Sequence, residues 1–481
     1  MSEPITSETG ARASSYAGRA RMMVERARWA VGAFSRLDQE QTLRIAHAAA
    51  EAGFARARYY GEEELHETGF GVAAHKQVQN ELSTRGVVQY YSDDLLVGTR
   101  SNPAGKSVSV ARPAGVVLAL IPSTNPVSIA LFKVICALMT RNAIIVSPHP
   151  SAISCAVSAV RLLASAAIRA GAPDGAIQVL DEPSWGLNEA IMRDPGVDVI
   201  LATGGASLLQ AAYRSGNPTI GAGPGNVPVL VDSTADLARS AKRIAESKAF
   251  DNSLLSASES VLIVEDAIAE RLLERLKSEG GHLCTAADAV RLRQCLFPAG
   301  AFEKAATGKS AAWIAERAGI RVKPDTKVLL APFDLAVPEE PLCHEKLCAV
   351  LGFCRVRDAE AGIDVARAVL RCAGGGHSAA IHSRDPATIM AFASALKALR
   401  IVANGPCVTQ VAGSNVVGAP SVVIATGFCG HGVLGQSLGP HHLVHWSRIA
   451  YSDDTAESLG YHGEPVCTRA RSASQCFCQR A

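Results

Sequence analysis

The chain has 481 residues, 48% hydrophobic and 19% charged, with 47 basic against 45 acidic side chains and a net charge of +2. That length exceeds one small core and implies two or three domains of a large soluble α/β protein. The near-neutral balance lacks the basic footprint of a nucleic-acid or anionic-membrane binder, so neither is expected as a partner.

Taken in order, the first 36 residues are Arg-rich (Arg12, Arg19, Arg21, Arg26, Arg28, Arg36). A transit or encapsulation peptide shares that composition; the plainer reading is an amphipathic surface helix with a solvated basic face. No secretory signal is expected. Residues 16–95 read as helical, with apolar positions three and four apart in Arg21–Leu37 and Gln41–Glu51. Val97–Arg112 alternates around the turn Asn102-Pro103-Ala104-Gly105 and reads as a projecting hairpin. Gly115–Ile121 is a continuous apolar run, hence a buried strand. Pro126–Met139 follows as a helix; its apolar run from Ser128 is too short to span a bilayer and holds Lys133 in its middle. Asn142–Ser147, Ala176–Leu180, Asp198–Ala202 and Val227–Val231 read as strands. Ser151–Arg169 and Ala235–Lys248 are helices. The alternation implies a parallel sheet covered on both faces, a doubly wound nucleotide-binding architecture.

Beyond residue 250 a second α/β unit follows. Its expected strands are Val261–Val264, Lys327–Leu330, Ala349–Val356, Ala379–His382 and Arg400–Asn404. Its expected helices are Ala267–Leu276, Ile363–Cys372 and Pro386–Leu399. His442–Tyr451 has strand and aromatic character, and residues 453–481 read as a flexible tail. Thirteen cysteines, an odd number without a Cys-x-x-Cys pair, point to a reducing cytoplasm and neither a disulfide framework nor a metal site. Cys467, Cys476 and Cys478 fall in the tail.

Several loops stand beside strand ends, where open α/β sheets collect ligands. Pro122-Ser123-Thr124-Asn125-Pro126, Ser147-Pro148-His149-Pro150-Ser151 and Thr203-Gly204-Gly205 each follow a strand. Gly221-Ala222-Gly223-Pro224-Gly225-Asn226 precedes one. Glycine and serine at helix starts offer free N–H groups to phosphate, though each alone is equally a tight turn. Between a helix and a buried strand lies a polar cluster, Phe250-Asp251-Asn252-Ser253-Leu254-Leu255-Ser256-Ala257-Ser258-Glu259-Ser260, a natural place for chemistry.

Together, and in this order, these motifs resemble the CoA-acylating branch of the aldehyde dehydrogenase superfamily over about residues 15–452. The resemblance implies a Rossmann-type cofactor domain (1–96 and 114–224), an α/β catalytic domain (225–430) and a small oligomerisation element (97–113 and 431–452). It implies that Ser123 and Thr124, with Asn125, belong to the oxyanion loop, Ser147 and His149 to the adenosine-ribose loop, and Thr203, Gly204 and Gly205 to the pyrophosphate turn. Gly223-Pro-Gly-Asn-Val-Pro228 resembles the branch signature, Glu345-Lys346-Leu347 the nicotinamide-ribose loop, and Gly376-His377-Ser378 a further acylating motif. The implied activity is oxidation of a small aldehyde, sulfoacetaldehyde among the choices, to its acyl-CoA. NADP or NAD would be the cofactor and coenzyme A the co-substrate. Asn125 and the N–H of residue 256 would hold the oxyanion, and His377 is a candidate base. Hydrolytic members keep a water-activating carboxylate at the place that Gly221 holds here. The 147–151 loop lacks the acid that excludes a 2′-phosphate, which leans towards NADP. A homodimer or homotetramer is implied.

The chain departs from that pattern at the nucleophile: Ser256 stands where the branch has cysteine. A thiol ionises near neutral pH and an unassisted hydroxyl does not. Three readings follow: an engineered cysteine-to-serine form that is inactive, a natural nucleotide- or acyl-CoA-binding homologue without catalysis, or another cysteine reaching the site.

Overall fold

The computed structural model describes residues 6–102, 106–413 and 419–452. The flexible-tail expectation, with its three cysteines, and the centre of the 102–105 turn lie outside them. Three sheets organise the chain. The first is five-stranded and wholly parallel, in the spatial order Ile177–Val179, Ala143–Ser147, Val116–Leu120, Val199–Thr203, Thr219–Ala222. Its order reverses about Val116–Leu120, so the loops after that strand and after Val199–Thr203 diverge and leave a crevice.

The second sheet has seven parallel strands: Gly281–Leu283, Val328–Pro332, Val350–Val356, Glu259–Glu265, Val227–Val231, Ser378–His382 and Arg400–Ala403. The third joins Thr99–Ser101, Ser107–Pro113 and Val444–Ala450, all antiparallel. The expected hairpin therefore takes the late aromatic strand as its third member. Apolar runs became buried strands because helices cover both faces of each parallel sheet. Among the described residues no helix is long and apolar enough to cross a membrane.

Sequence reading missed the strands Thr219–Ala222 and Gly281–Leu283 and the helices Ala286–Leu296 and Ala311–Arg317. The strands are three or four residues long and Gly-containing, too short for a period to register. The helix expected to run to Leu399 ends at Ala395, with Leu396 already extended.

Lys133 explains itself in this frame. It is buried in the helix Pro126–Met139, and its Nζ donates to the carbonyls of Leu120 and Leu201 at 2.9 Å each. Burial pushes its pKa well down. One side chain thus ties together the carboxyl ends of the two strands flanking the crevice.

Candidate active site

A cavity of about 650 Å³ opens between the two parallel sheets, within the range of small-molecule sites. Ser123, Thr124, Asn125, Ser147, His149, Thr203, Gly204, Gly205, Gly223, Ser256 and Glu345 all line it. The folded chain thus gathers eleven of the twelve expected site residues around one space. The twelfth, His377, stands behind Ser256: its Nε2 lies 2.9 Å from Ser256 Oγ. No cysteine lines the cavity among the described residues, so nothing supports the reading in which another cysteine reaches the site.

The nucleophile loop owes its shape to Asp251, Asn252 and Ser253, three consecutive non-glycine residues with φ of 51°, 50° and 65°. Such left-handed residues cost on the order of 1–3 kcal/mol each and persist only when surroundings over-determine them. Here they do. The Asp251 N–H donates to His75 Nδ1 (2.8 Å), and the Asp251 carboxylate accepts from Val72 N–H (2.7 Å) and Gln79 Nε2 (2.9 Å). Asn252 Nδ2 donates to the Gly308 carbonyl (2.9 Å), and Lys248 Nζ to Ser253 Oγ (2.6 Å). Phe250 stacks on His75 with ring centroids 4.5 Å apart.

Behind Asp251 lies a buried ion cluster. Lys76 Nζ contacts Glu64 Oε1 at 2.5 Å and Asp251 Oδ2 at 3.4 Å. Burial raises the Glu64 pKa although Lys76 opposes it; burial would lower the Lys76 pKa, but the two carboxylates lift it overall. Sequence reading found none of Glu64, Lys76 or Gln79, because they lie on early helices with no periodic mark of their contact to residue 251.

Asn125 sits differently from the expectation. Its Nδ2 donates to Gln79 Oε1 (2.8 Å) and Asp251 Oδ2 (3.1 Å), so both amide hydrogens are engaged and neither is free for an oxyanion in this arrangement. The Ser256 N–H, by contrast, has no protein acceptor among the described residues.

The stretch Gly223–Pro228 joins the halves of the site. The Gly225 N–H donates to Glu345 Oε1 at 2.8 Å, and Asn226 Nδ2 bridges the carbonyls of Cys343 (2.9 Å) and Val369 (3.0 Å). A Cβ on Gly225 would overlap the Ser256 carbonyl oxygen and come within 3.2 Å of His377 Nδ1. Gly225→Ala is therefore expected to cost about 1–3 kcal/mol in urea unfolding, as overpacking does. Gly205→Ala, with nothing within 4 Å of its Cβ, should stay close to the unaltered chain.

Burial pushes the Glu345 and Glu259 carboxyls up to about 7. Glu259 opens the strand Glu259–Glu265 rather than closing the loop, and its Oε1 accepts from Cys407 N–H at 3.0 Å. At Gly221 a Cβ would overlap the Tyr213 hydroxyl. The ring of Tyr213 thus occupies the space into which a side chain at 221 would project.

His377 is buried, and that burial, with Arg400 nearby, pushes its pKa down to about 3. It is neutral at pH 7. Unfolded, the imidazole gains a proton below about 6.5; folded, it does so only near 3. Between those values the unfolded state binds the extra proton, so stability is lost as pH falls. Relative to His377→Asn, the unaltered chain should lose about 2 kcal/mol between pH 7 and pH 5 in paired urea titrations. Parallel curves for the two proteins would contradict this.

Residues 1–290 match the model of the aldehyde dehydrogenase family. The chain belongs to the aldehyde dehydrogenase family. It is similar to the bifunctional aldehyde-alcohol dehydrogenase AdhE of Escherichia coli K12, 34% identical over 92% of this chain and 50% of that protein; the chain thus spans about half of such relatives. It is also similar to the acylating sulfoacetaldehyde dehydrogenase of Cupriavidus necator, 32% identical over 91% of each. Among solved structures, an acetylating aldehyde dehydrogenase from Geobacillus thermoglucosidasius superposes with a TM-score of 0.89 at 33% identity, over 92% of this chain and 98% of that one. A propionaldehyde dehydrogenase from Rhodopseudomonas palustris, with CoA bound and an acylated cysteine, gives 0.81 at 26% identity over 90% and 96%. The fold is the aldehyde dehydrogenase α/β fold, and the Cupriavidus and Geobacillus relatives are an acylating and an acetylating aldehyde dehydrogenase.

Proposed function

We propose that this aldehyde dehydrogenase chain carries the site of a CoA-acylating enzyme that oxidises a small aldehyde to its acyl-CoA with NADP or NAD. In this reading Ser256 occupies the nucleophile position and leaves the present form deficient in that reaction. The observation that carries it is the contact of Ser256 with His377 on one wall of a cavity whose other wall is built from phosphate-type loops.

The residues present fit a dinucleotide. Among the described residues Thr203 Oγ1 is buried without a partner while its residue lines the cavity, and the helix Ala206–Tyr213 begins just beyond Gly204-Gly205. Ser147 Oγ is held by Asn188 Oδ1 at 2.6 Å, and the His149 ring caps Ser151. No carboxylate occurs in Ser147–Ser151, and burial and the charge of Lys304 lower the His149 pKa. A cation beside that loop supports the lean towards a 2′-phosphate, hence NADP. A bound nicotinamide would supply the hydride acceptor for the aldehyde carbon. Glu345 would orient the nicotinamide ribose, and the N–H of residue 256 would hold the oxyanion, joined by Asn125 once its amide turns from Asp251. His377 would take the proton of the attacking CoA thiol. With Tyr213 filling the space at Gly221 and no carboxylate there, release to CoA is favoured over water.

Sulfoacetaldehyde stays among the candidate aldehydes by likeness to the Cupriavidus relative. The solvent-exposed edge strand Val444–Ala450 of the three-stranded sheet supports a homo-oligomer, dimer or tetramer. The test compares the chain with Ser256→Cys on small aldehydes, sulfoacetaldehyde included, with NAD and NADP, and with and without CoA. CoA-dependent hydride transfer by the cysteine form alone is expected. Silence from both forms while NADP still binds would favour a nucleotide- or acyl-CoA-binding homologue without catalysis.

A further inference from the structure

A serine in place of cysteine removes the easy thiolate, but the fold supplies what an isolated serine lacks. Ser256 Oγ is 2.9 Å from His377 Nε2, inside hydrogen-bond reach for proton transfer. His377 Nδ1 is 3.1 Å from Ser378 Oγ. With Nδ1–H donating to Ser378, Nε2 keeps its lone pair for the Ser256 hydroxyl. The ring is buried, and Arg400, whose guanidinium donates to the His377 carbonyl at 3.5 Å, steadies the backbone that carries it. Ser256 itself lines the cavity, so an acyl group delivered there reaches its oxygen.

We propose that Ser256 and His377 form an acyl-transfer dyad that hydrolyses acyl thioesters without any nicotinamide nucleotide. This rests on the reading of the cavity as a CoA-thioester site. Ser256 Oγ attacks the thioester carbonyl carbon, and its proton passes through His377 Nε2 to the departing sulfur. The C–S bond breaks, a thiol leaves and an acyl-serine ester remains. Water then attacks the ester, gives a proton to Nε2, and the serine oxygen takes it back as the carboxylic acid departs. No electrons change hands. An oxygen ester returns its acyl group to a thiol poorly, so water becomes the acceptor in the serine form. Among the described residues His377 has no carboxylate partner, and its neutral state, held by burial and Arg400, makes it available but weak as a base. Turnover is accordingly slow beside a full serine–histidine–carboxylate triad.

The experiment incubates the whole chain with acetyl-CoA, without nucleotide, and measures acetate formation and acetylation of the peptide containing Ser256. Ser256→Ala and His377→Gln are run beside it, with NADP binding as the check of fold. Acetate formation is expected from the unaltered chain and should fall at least about a hundredfold in either variant, the scale of nucleophile and general-base loss. Acetate formation no greater than that of Ser256→Ala, or acetyl label on a cysteine and not on Ser256, would overturn the dyad. Aldehyde oxidation by Ser256→Cys fails or succeeds separately. If it succeeds while the serine chain forms no acetate, hydrolysis alone is refuted. If it fails while acetate forms, the dyad stands and the oxidation reading falls.

Discussion

Ser256→Cys should raise CoA-dependent aldehyde oxidation by roughly 10³-fold over the serine chain, measured as NADPH or NADH formation at pH 7–8. The reason lies in the first step and in the last. A cysteine at 256 is a few per cent thiolate at neutral pH and intrinsically a strong nucleophile, whereas a serine must be deprotonated as it attacks. His377 is within 2.9 Å to do so, but burial and Arg400 hold its pKa at about 3, so proton transfer to it is uphill. The acyl-enzyme also differs: a thioester passes its acyl group to CoA, and a serine ester does so poorly. Cysteine is close in size to serine, and residue 256 faces open cavity, so little repacking follows. A gain below about tenfold, with nucleotide binding intact, would mean that some part of the site beyond the nucleophile is out of place.

Asp251→Ala should cost about 3–5 kcal/mol in urea unfolding, the scale of breaking a buried charge pair from one side. Four groups lose an acceptor at once: the Val72 N–H, Gln79 Nε2, Asn125 Nδ2 and Lys76 Nζ. Lys76 keeps Glu64, but one carboxylate then neutralises it where two did. The loop also loses its carboxylate anchors, one part of what holds Asp251, Asn252 and Ser253 at positive φ, so residue 256 is held less firmly in its place. In a Ser256→Cys background the same change should abolish the regained activity. Asp251→Asn preserves the shape and one acceptor oxygen and should cost less. If the alanine variant unfolds within about 1 kcal/mol of the parent, the buried network is not what holds the loop.

The strands of both parallel sheets were legible because each is a continuous apolar run, as in Val116–Leu120 and Val227–Val231. The loops that line the cavity were legible because Gly, Ser and Pro cluster just beyond those runs. The roles of Lys76, Gln79, Glu64 and His75 were not, since their meaning depends on Asp251, more than 170 residues away from each of them. Nor could one see that Tyr213 fills the space beside Gly221, or that Asn125 turns its amide to Asp251. The sequence by itself determined the α/β architecture, the family likeness and the identity of residue 256, because periodicity, turn chemistry and side-chain type are local properties. Only the tertiary structure decided whether that serine has a base. The meeting of Ser256 with His377, 121 residues apart, follows from the parallel pairing of Glu259–Glu265 and Ser378–His382 on either side of Val227–Val231, a long-range register that no local pattern encodes.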